Sequence, residues 1–209
     1  MNIITISREF GSGGRELGKR LADALGYDYY DNEILTAVAR NSGLNQQYVE
    51  TVLANHGWQT FPVTFHGTLA TAGAVNNVAL LLEQKEVIEK IAKLGKNCVI
   101  VGRNADVILE DYHPFNIFVC ADLAAKVERC MERKTEDEDL TEKELVRRMK
   151  QIDKIRYQTR AIISGSDWGK PVAYHMCVNT TEWDMKELTA AVAQFAKAWF
   201  ARTEKSVQN

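Results

Sequence analysis

The stretch Asn2–Leu25, NIITISREFGSGGRELGKRLADAL, decides how the rest of the chain is read. Ile3-Ile4-Thr5-Ile6 is a short β-branched apolar run, the pattern of a buried strand. Gly11-Ser12-Gly13-Gly14 follows as a turn. A helix is predicted from about Arg15, with Leu17, Leu21, Ala24 and Leu25 at helical spacing and Gly26 at its stop. Strand, glycine turn and helix N-terminus together hold phosphate: glycines let successive backbone N–H groups turn inward, and the helix end adds partial positive charge. The letters depart from GxxxxGK[ST]. With Gly14-Arg15 in the place of the Gly-Lys pair, Glu9 takes the first glycine's position and Glu16 that of the magnesium-binding hydroxyl. A flexible turn with a solvated arginine is the competing reading. Three glycines in four residues, directly after a buried strand and opening a helix, favour phosphate.

Working outward, 209 residues suffice for one domain with a sizeable core. A net charge of −2 argues against a nucleic-acid polymer or an anionic membrane as partner. Cys98, Cys120, Cys130 and Cys177 form no CxxC pair and mostly lie in apolar runs, so neither zinc nor disulfides are expected. No run is long and apolar enough to span a bilayer, and the N-terminus enters a strand without a signal-peptide pattern. A cytoplasmic protein is the expectation.

Along the chain, Tyr27–Asp31 is a brief strand or extended link, followed by helices predicted over Asn32–Ser42 and from Asn45 to about Leu53. Residues 55–75 read as irregular, and a long helix is expected from about Asn76 to Leu94. The apolar, alanine-rich Leu69–Leu82 stretch is either a homodimer interface or a covered helix. Strands are predicted at Cys98–Val101, Phe115–Cys120 and Val172–Asn179. Helices are expected from Ala121 or Asp122 to about Arg133, from the capping box at Thr141–Glu144 to about Ile163, and from about Asp184 to Arg202. Residues 134–139 are a solvated acidic loop. Alternating strands and helices imply a parallel α/β sheet with helices on both faces and a ligand beyond the strands' carboxyl ends. That address selects Arg8–Gly14, Gly102–Asp106, Ala121-Asp122 and Thr180-Thr181.

Three constellations carry chemistry. Arg103 suits a phosphate oxygen pair and Asp106 a sugar hydroxyl or base amino group, against the alternative of a local surface pair. Asp153, Arg156 and Arg160 share a helix face, while Arg129, Arg133, Arg147 and Arg148 flank the acidic loop. Phosphoryl transfer uses such cations to close over the moving group; a solvated charged face is the other reading. Asp31 is either an acceptor-substrate ligand or a helix N-cap. The four histidines show no ligand spacing.

ITISREFGSGGRELGKRLADALG, YYDNEIL, VIVGRNADVIL, IDKIRYQTR, GSDWG and VNTT, in that order from residue 3 to about 181, resemble the cytidylate kinase-like family. SREFGSGG with GRxAD carries most of the likeness and VNTT little. The resemblance implies a three-layer P-loop fold with lid and monophosphate-binding insertions. Core segments would be 1–31, 95–130 and 164–203, the acceptor region 32–94 and the lid about 131–160. It implies ATP and Mg2+ as cofactors and phosphoryl transfer to a nucleoside monophosphate, CMP or dCMP leading. Another small metabolite as acceptor, and a nucleotide-binding regulatory module without catalysis, are the alternatives. ATP would lie on Gly11, Ser12, Gly13, Gly14, Arg15 and Glu16, with adenine near Arg129 and Thr180. Asp31, Arg103, Asp106, Asp153 and Arg156 would hold the acceptor. Arg15, Arg129, Arg133, Arg156 and Arg160 would serve catalysis, with Arg147 and Arg148 in the lid or its hinges. Magnesium's protein ligand is unassigned, Ser12 being the one suggestion; Glu16 would have to reach magnesium through water or pair with Arg8 or Lys19.

Overall fold

The computed structural model describes residues 1–31, 34–35, 74–133, 141–165 and 168–207. Its centre is strand β1 (Ile3–Arg8), apolar on both faces and buried over its first five residues. Such a strand is stable only inside a sheet covered on both sides. It pairs in parallel with β3 (Cys98–Val101) on one edge and β4 (Phe115–Cys120) on the other. β2 (Asp28–Tyr30) lies outside β3, and β5 (Met176–Asn179) outside β4, so the order is β2-β3-β1-β4-β5, all parallel. The connection leaving β1 runs to the β2 side and that leaving β4 to the β5 side, which opens a crevice between their carboxyl ends. The glycine turn occupies that point.

Helix α1 (Gly14–Leu25) buries Leu17, Leu21 and Ala22 against the sheet and ends in a left-handed Gly26. Gly18 lets it approach closely, since a Cβ there would stand 2.6 Å from Val101 Cγ2. Packed against α1 and, through Phe195, Trp199 and Phe200, on Phe115 of β4 is α6 (Met185–Val207), which buries Leu188, Val192, Ala193, Ala196 and Phe200 at helical spacing. Each of these larger side chains contributes roughly 1.5–3 kcal/mol of transfer free energy on full burial. The long helix α2 (Ala74–Lys93) contributes Val87, Ile88 and Ile91 to the same core.

Helices α4 (Leu123–Glu132) and α5 (Glu142–Ser164) form a separate small cluster: Cys130, Leu145 and Met149, with Phe10 of the glycine turn packed against them. The Thr141–Glu144 capping box is present, and left-handed Gly165 ends α5. Among the described residues, no helix is long and apolar enough to cross a membrane.

Differences from expectation have local causes. β5 begins at Met176 rather than Val172, because Pro171 starts a 3-10 turn through Ala173 and has no N–H for the ladder. α2 starts two residues earlier than expected and α6 runs five further, to Val207. The short helix α3 (Ala105–Ile108) and a 3-10 turn at Glu110–Tyr112 connect β3 to β4. Helices expected over 32–42 and 45–53, the irregular 55–73 stretch and the 134–139 loop fall outside the described residues, save that Ile34 and Leu35 are helical and buried.

Candidate active site

The glycine turn is built for a backbone that L side chains resist. Gly11 and Gly13 have φ of +76° and +79°. Gly13 is also the N-cap of α1, with no side chain capping it. The first intrahelical bond is Leu17 N–H to Gly13 O at 2.9 Å, so the amides of α1's first turn have no carbonyl partner along the helix. The turn is stapled from behind. Ser12 is fully buried; its hydroxyl donates to Glu9 O (2.8 Å), and its own carbonyl accepts from Thr180 Oγ1 (2.7 Å). Arg129 donates to Gly11 O (2.8 Å) and Thr180 O (3.4 Å). Phe10 N–H donates to Asp153 Oδ1 at 2.9 Å. Arg129 and Thr180 thus join the turn to the end of β5, and Ser12 faces inward.

Beneath the turn runs Arg8. A Cβ on Gly14 would stand 2.7 Å from Arg8 Cβ, and one on Gly102 would stand 1.7 Å from Arg8 Nη1. The arginine is therefore threaded between two glycines to the end of β3. There it meets Arg103 and Arg156. Burial, then Arg156 and Arg103, push Arg8 down to about 9. Burial, then Arg156, push Arg103 down to about 10. Arg156 is lowered too, chiefly by burial and partly offset by Asp153. It donates to Asp153 Oδ1 (2.9 Å) and to Arg8 O (3.0 Å), and lies over the Phe10 ring. Arg103 donates to Gln84 Oε1 at 3.4 Å. Among the described residues neither Arg8 nor Arg103 has a carboxylate partner. Unbalanced guanidinium crowding of this kind is stable where an anion completes the site.

The remaining predicted residues are engaged elsewhere. Arg15 reaches Asp31 through Nε (2.7 Å) and Nη2 (2.6 Å). Asp31 also accepts from Ile34 N–H (3.1 Å), which is the helix-cap reading. Glu16 pairs with Arg20 (2.9 Å) and with Arg133, not with Arg8 or Lys19. Arg160 and Asp106 form an ion pair with each other, only 3% and 5% exposed, so neither faces an open cleft. Arg147 is exposed on the first half of α5. Among the described residues, neither Ser12 nor Glu16 is free to hold magnesium. Ser12 is turned inward, Glu16 is held by two arginines, and the described residues contain no cluster of three metal-binding side chains.

Arg8, Phe10 and Gln84 belong to the site and were not singled out from the sequence. Arg8 lay in the selected strand-end group, but nothing local marks it as the centre of the cluster.

A parallel sheet whose central strand feeds a glycine turn and an open helix N-terminus, with arginines at the neighbouring strand end, is the P-loop kinase fold. The chain belongs to the cytidylate kinase-like family, whose model matches residues 3–182. It is similar to a solved but uncharacterized protein from Eubacterium ventriosum, with 27% identity and a TM-score of 0.68 over 94% of this chain and 99% of that one. Shikimate kinases share the fold. The one from Bacteroides thetaiotaomicron has 12% identity and a TM-score of 0.54, covering 94% and 98% of the two chains. The one from Acinetobacter baumannii, in complex with shikimate, has 11% identity and a TM-score of 0.51, covering 95% and 94%. No curated protein matches the sequence.

Proposed function

We propose that this protein transfers the γ-phosphoryl group of ATP to a phosphomonoester, a nucleoside monophosphate with CMP or dCMP as the leading acceptor. The observation that carries this reading is the convergence of Arg8, Arg103 and Arg156 beside the glycine turn, with only Arg156 balanced by a carboxylate among the described residues. Two unneutralised guanidiniums match the two charges of a phosphomonoester. Gly11–Gly14 and the first-turn amides of α1 suit the phosphates of ATP, which brings donor and acceptor to the same crevice.

In this reading the protein forms no covalent intermediate. Arg8 and Arg103 hold the acceptor phosphate so that one of its oxygens lies in line with the γ-phosphorus. Arg156, fixed by Asp153, spans the acceptor side and the turn. The segment at about 131–160, carrying Arg133, Arg147 and Arg148, is the lid that excludes water. Magnesium, when bound with ATP, would neutralise phosphate charge, and the described residues furnish it no ligand. A coupled assay of ADP release across nucleoside monophosphates tests the proposal. Turnover with CMP or dCMP above the other acceptors is expected; silence across the panel from folded protein that binds ATP would sink it.

A second reading, a nucleotide-binding module without catalysis, is favoured by one observation. The residues at the lysine and hydroxyl positions, Arg15 and Glu16, are already tied to Asp31, Arg20 and Arg133. Arg15→Ala separates the two. A sharp fall in turnover excludes the module, whereas retained ATP binding in a protein that never turned over supports it.

A further inference from the structure

The turn that presents Arg103 is left-handed at three successive residues: Gly102 (φ +85°), Arg103 (+59°) and Asn104 (+53°). Only the first is a glycine. Non-glycine residues stay in this region when their surroundings over-determine them, and such strain gathers at functional sites. Backbone bonds account for part of the hold: Gly102 N–H to Ile6 O, Ala105 N–H to Gly102 O, and Val107 and Ile108 N–H to Asn104 O.

Asp106 lies just past this turn, in the first turn of α3 and three residues beyond Arg103. Its carboxylate is buried against Arg160 of α5. Arg160 in turn lies over the Tyr174 ring, 5.6 Å from Cζ to centroid, and Tyr174 packs on Phe118 of β4, with Trp168 edge-on to the same Phe118. Trp168 and Gly169 thus supply one wall of this stack, since Gly169 sits against the Phe118 ring and its N–H donates to the Tyr174 hydroxyl. Among the described residues, Asp106 Oδ1 is buried with no hydrogen-bond partner. A buried ion pair adds little net stability over an apolar pair of similar shape.

We infer that the Asp106–Arg160 pair is a positioning device: it clamps the Gly102-Arg103-Asn104 turn to helix α5 and thereby aims Arg103 at the acceptor's phosphate. Neither residue touches the acceptor. This rests on the acceptor-site reading above. The clamp also ties the turn to the helix that carries Asp153 and Arg156, so Arg103 and Arg156 are set by one rigid element.

The test uses the full chain with inorganic phosphate and CMP as probes, followed by calorimetric titration and acceptor kinetics. The Asp106→Leu/Arg160→Met double variant replaces the pair by apolar side chains. Expected is a melting temperature near or above that of the unaltered protein, with phosphate and CMP affinity weakened about tenfold or more. The KM for acceptor should rise while that for ATP stays put. Unchanged phosphate affinity in the folded double variant overturns the inference. If the double variant does not fold, Arg160→Lys keeps the charge and loses the planar fork; weakened phosphate binding there supports the clamp, and unaltered binding overturns it. Absence of phosphate and CMP binding in the unaltered protein overturns the acceptor-site reading itself, and the clamp with it.

Discussion

The two ends of the crevice hold similar numbers of arginines and use them in opposite ways. At the glycine turn, Arg15 is bound to Asp31, Arg133 to Glu16, and Arg129 to two backbone carbonyls. At the β3 end, Arg8 and Arg103 are set among other guanidiniums with no carboxylate among the described residues to balance them. The turn therefore offers a ligand mainly backbone amides and the helix end, whereas the β3 end offers unspent charge. A site that keeps its cations paired binds through shape and loses little to salt. One that leaves them crowded is destabilised until an anion arrives, and gains correspondingly when it does.

Arg8→Met breaks this comparison most directly. A hydrogen-bonded charge contact of this kind is worth about 1.5–3 kcal/mol, so kcat/KM for the acceptor should fall roughly ten- to a hundredfold. KM for ATP should barely move, and steady-state kinetics with each substrate varied would show whether the two ends are separable. Gly102→Ala approaches the same end through the backbone. Its Cβ would stand 1.7 Å from Arg8 Nη1 at a φ of +85°, so Arg8 is displaced and the acceptor's KM rises about tenfold, with about 1 kcal/mol of stability lost in urea titration.

Gly13→Ala probes the other end. At a φ of +79°, with a Cβ 2.6 Å from Met185 Cε, it should cost about 1–2 kcal/mol in stability and weaken ATP rather than acceptor binding. Equal losses for both substrates would erase the distinction drawn here.

Ligand-free stability sharpens it. Burial and the neighbouring Arg156 and Arg103 lower the proton affinity of Arg8, so its charge opposes folding when no anion is bound. Arg8→Met should therefore melt no lower than the unaltered ligand-free protein, and inorganic phosphate should raise the melting temperature of the unaltered protein more than that of Arg8→Met. The smallest effect is expected from Thr141→Ala, which removes the cap at the end of α5 away from Asp153 and Arg156. About 1 kcal/mol of stability should go, with both KM values unchanged.

Most of the β1–turn–α1 unit was legible in the sequence. β-branched residues, clustered glycines and helical spacing act within a few residues of one another, so Ile3–Arg8, the turn and the helix follow from local rules. The same holds for β3, β4 and the capping box of α5. The residues that line the crevice were also mostly visible, because the carboxyl ends of parallel strands are a fixed address.

Their pairing was not. Asp31 read equally as ligand or cap; Asp106 and Arg160 read as ligand and catalyst but face one another; Arg8 read as a partner for Glu16 but lies under Gly14 toward Gly102. Charge pairing is decided by which elements the fold brings together. Phe10 meets Asp153 across 143 positions, and Asp106 meets Arg160 across 54. A charged side chain carries no local mark of its partner. The sequence by itself determined the strands, the turn and the positive character of the strand ends. Only tertiary packing, by spending some of those charges on each other and leaving Arg8 and Arg103 over, decided where an anion is needed.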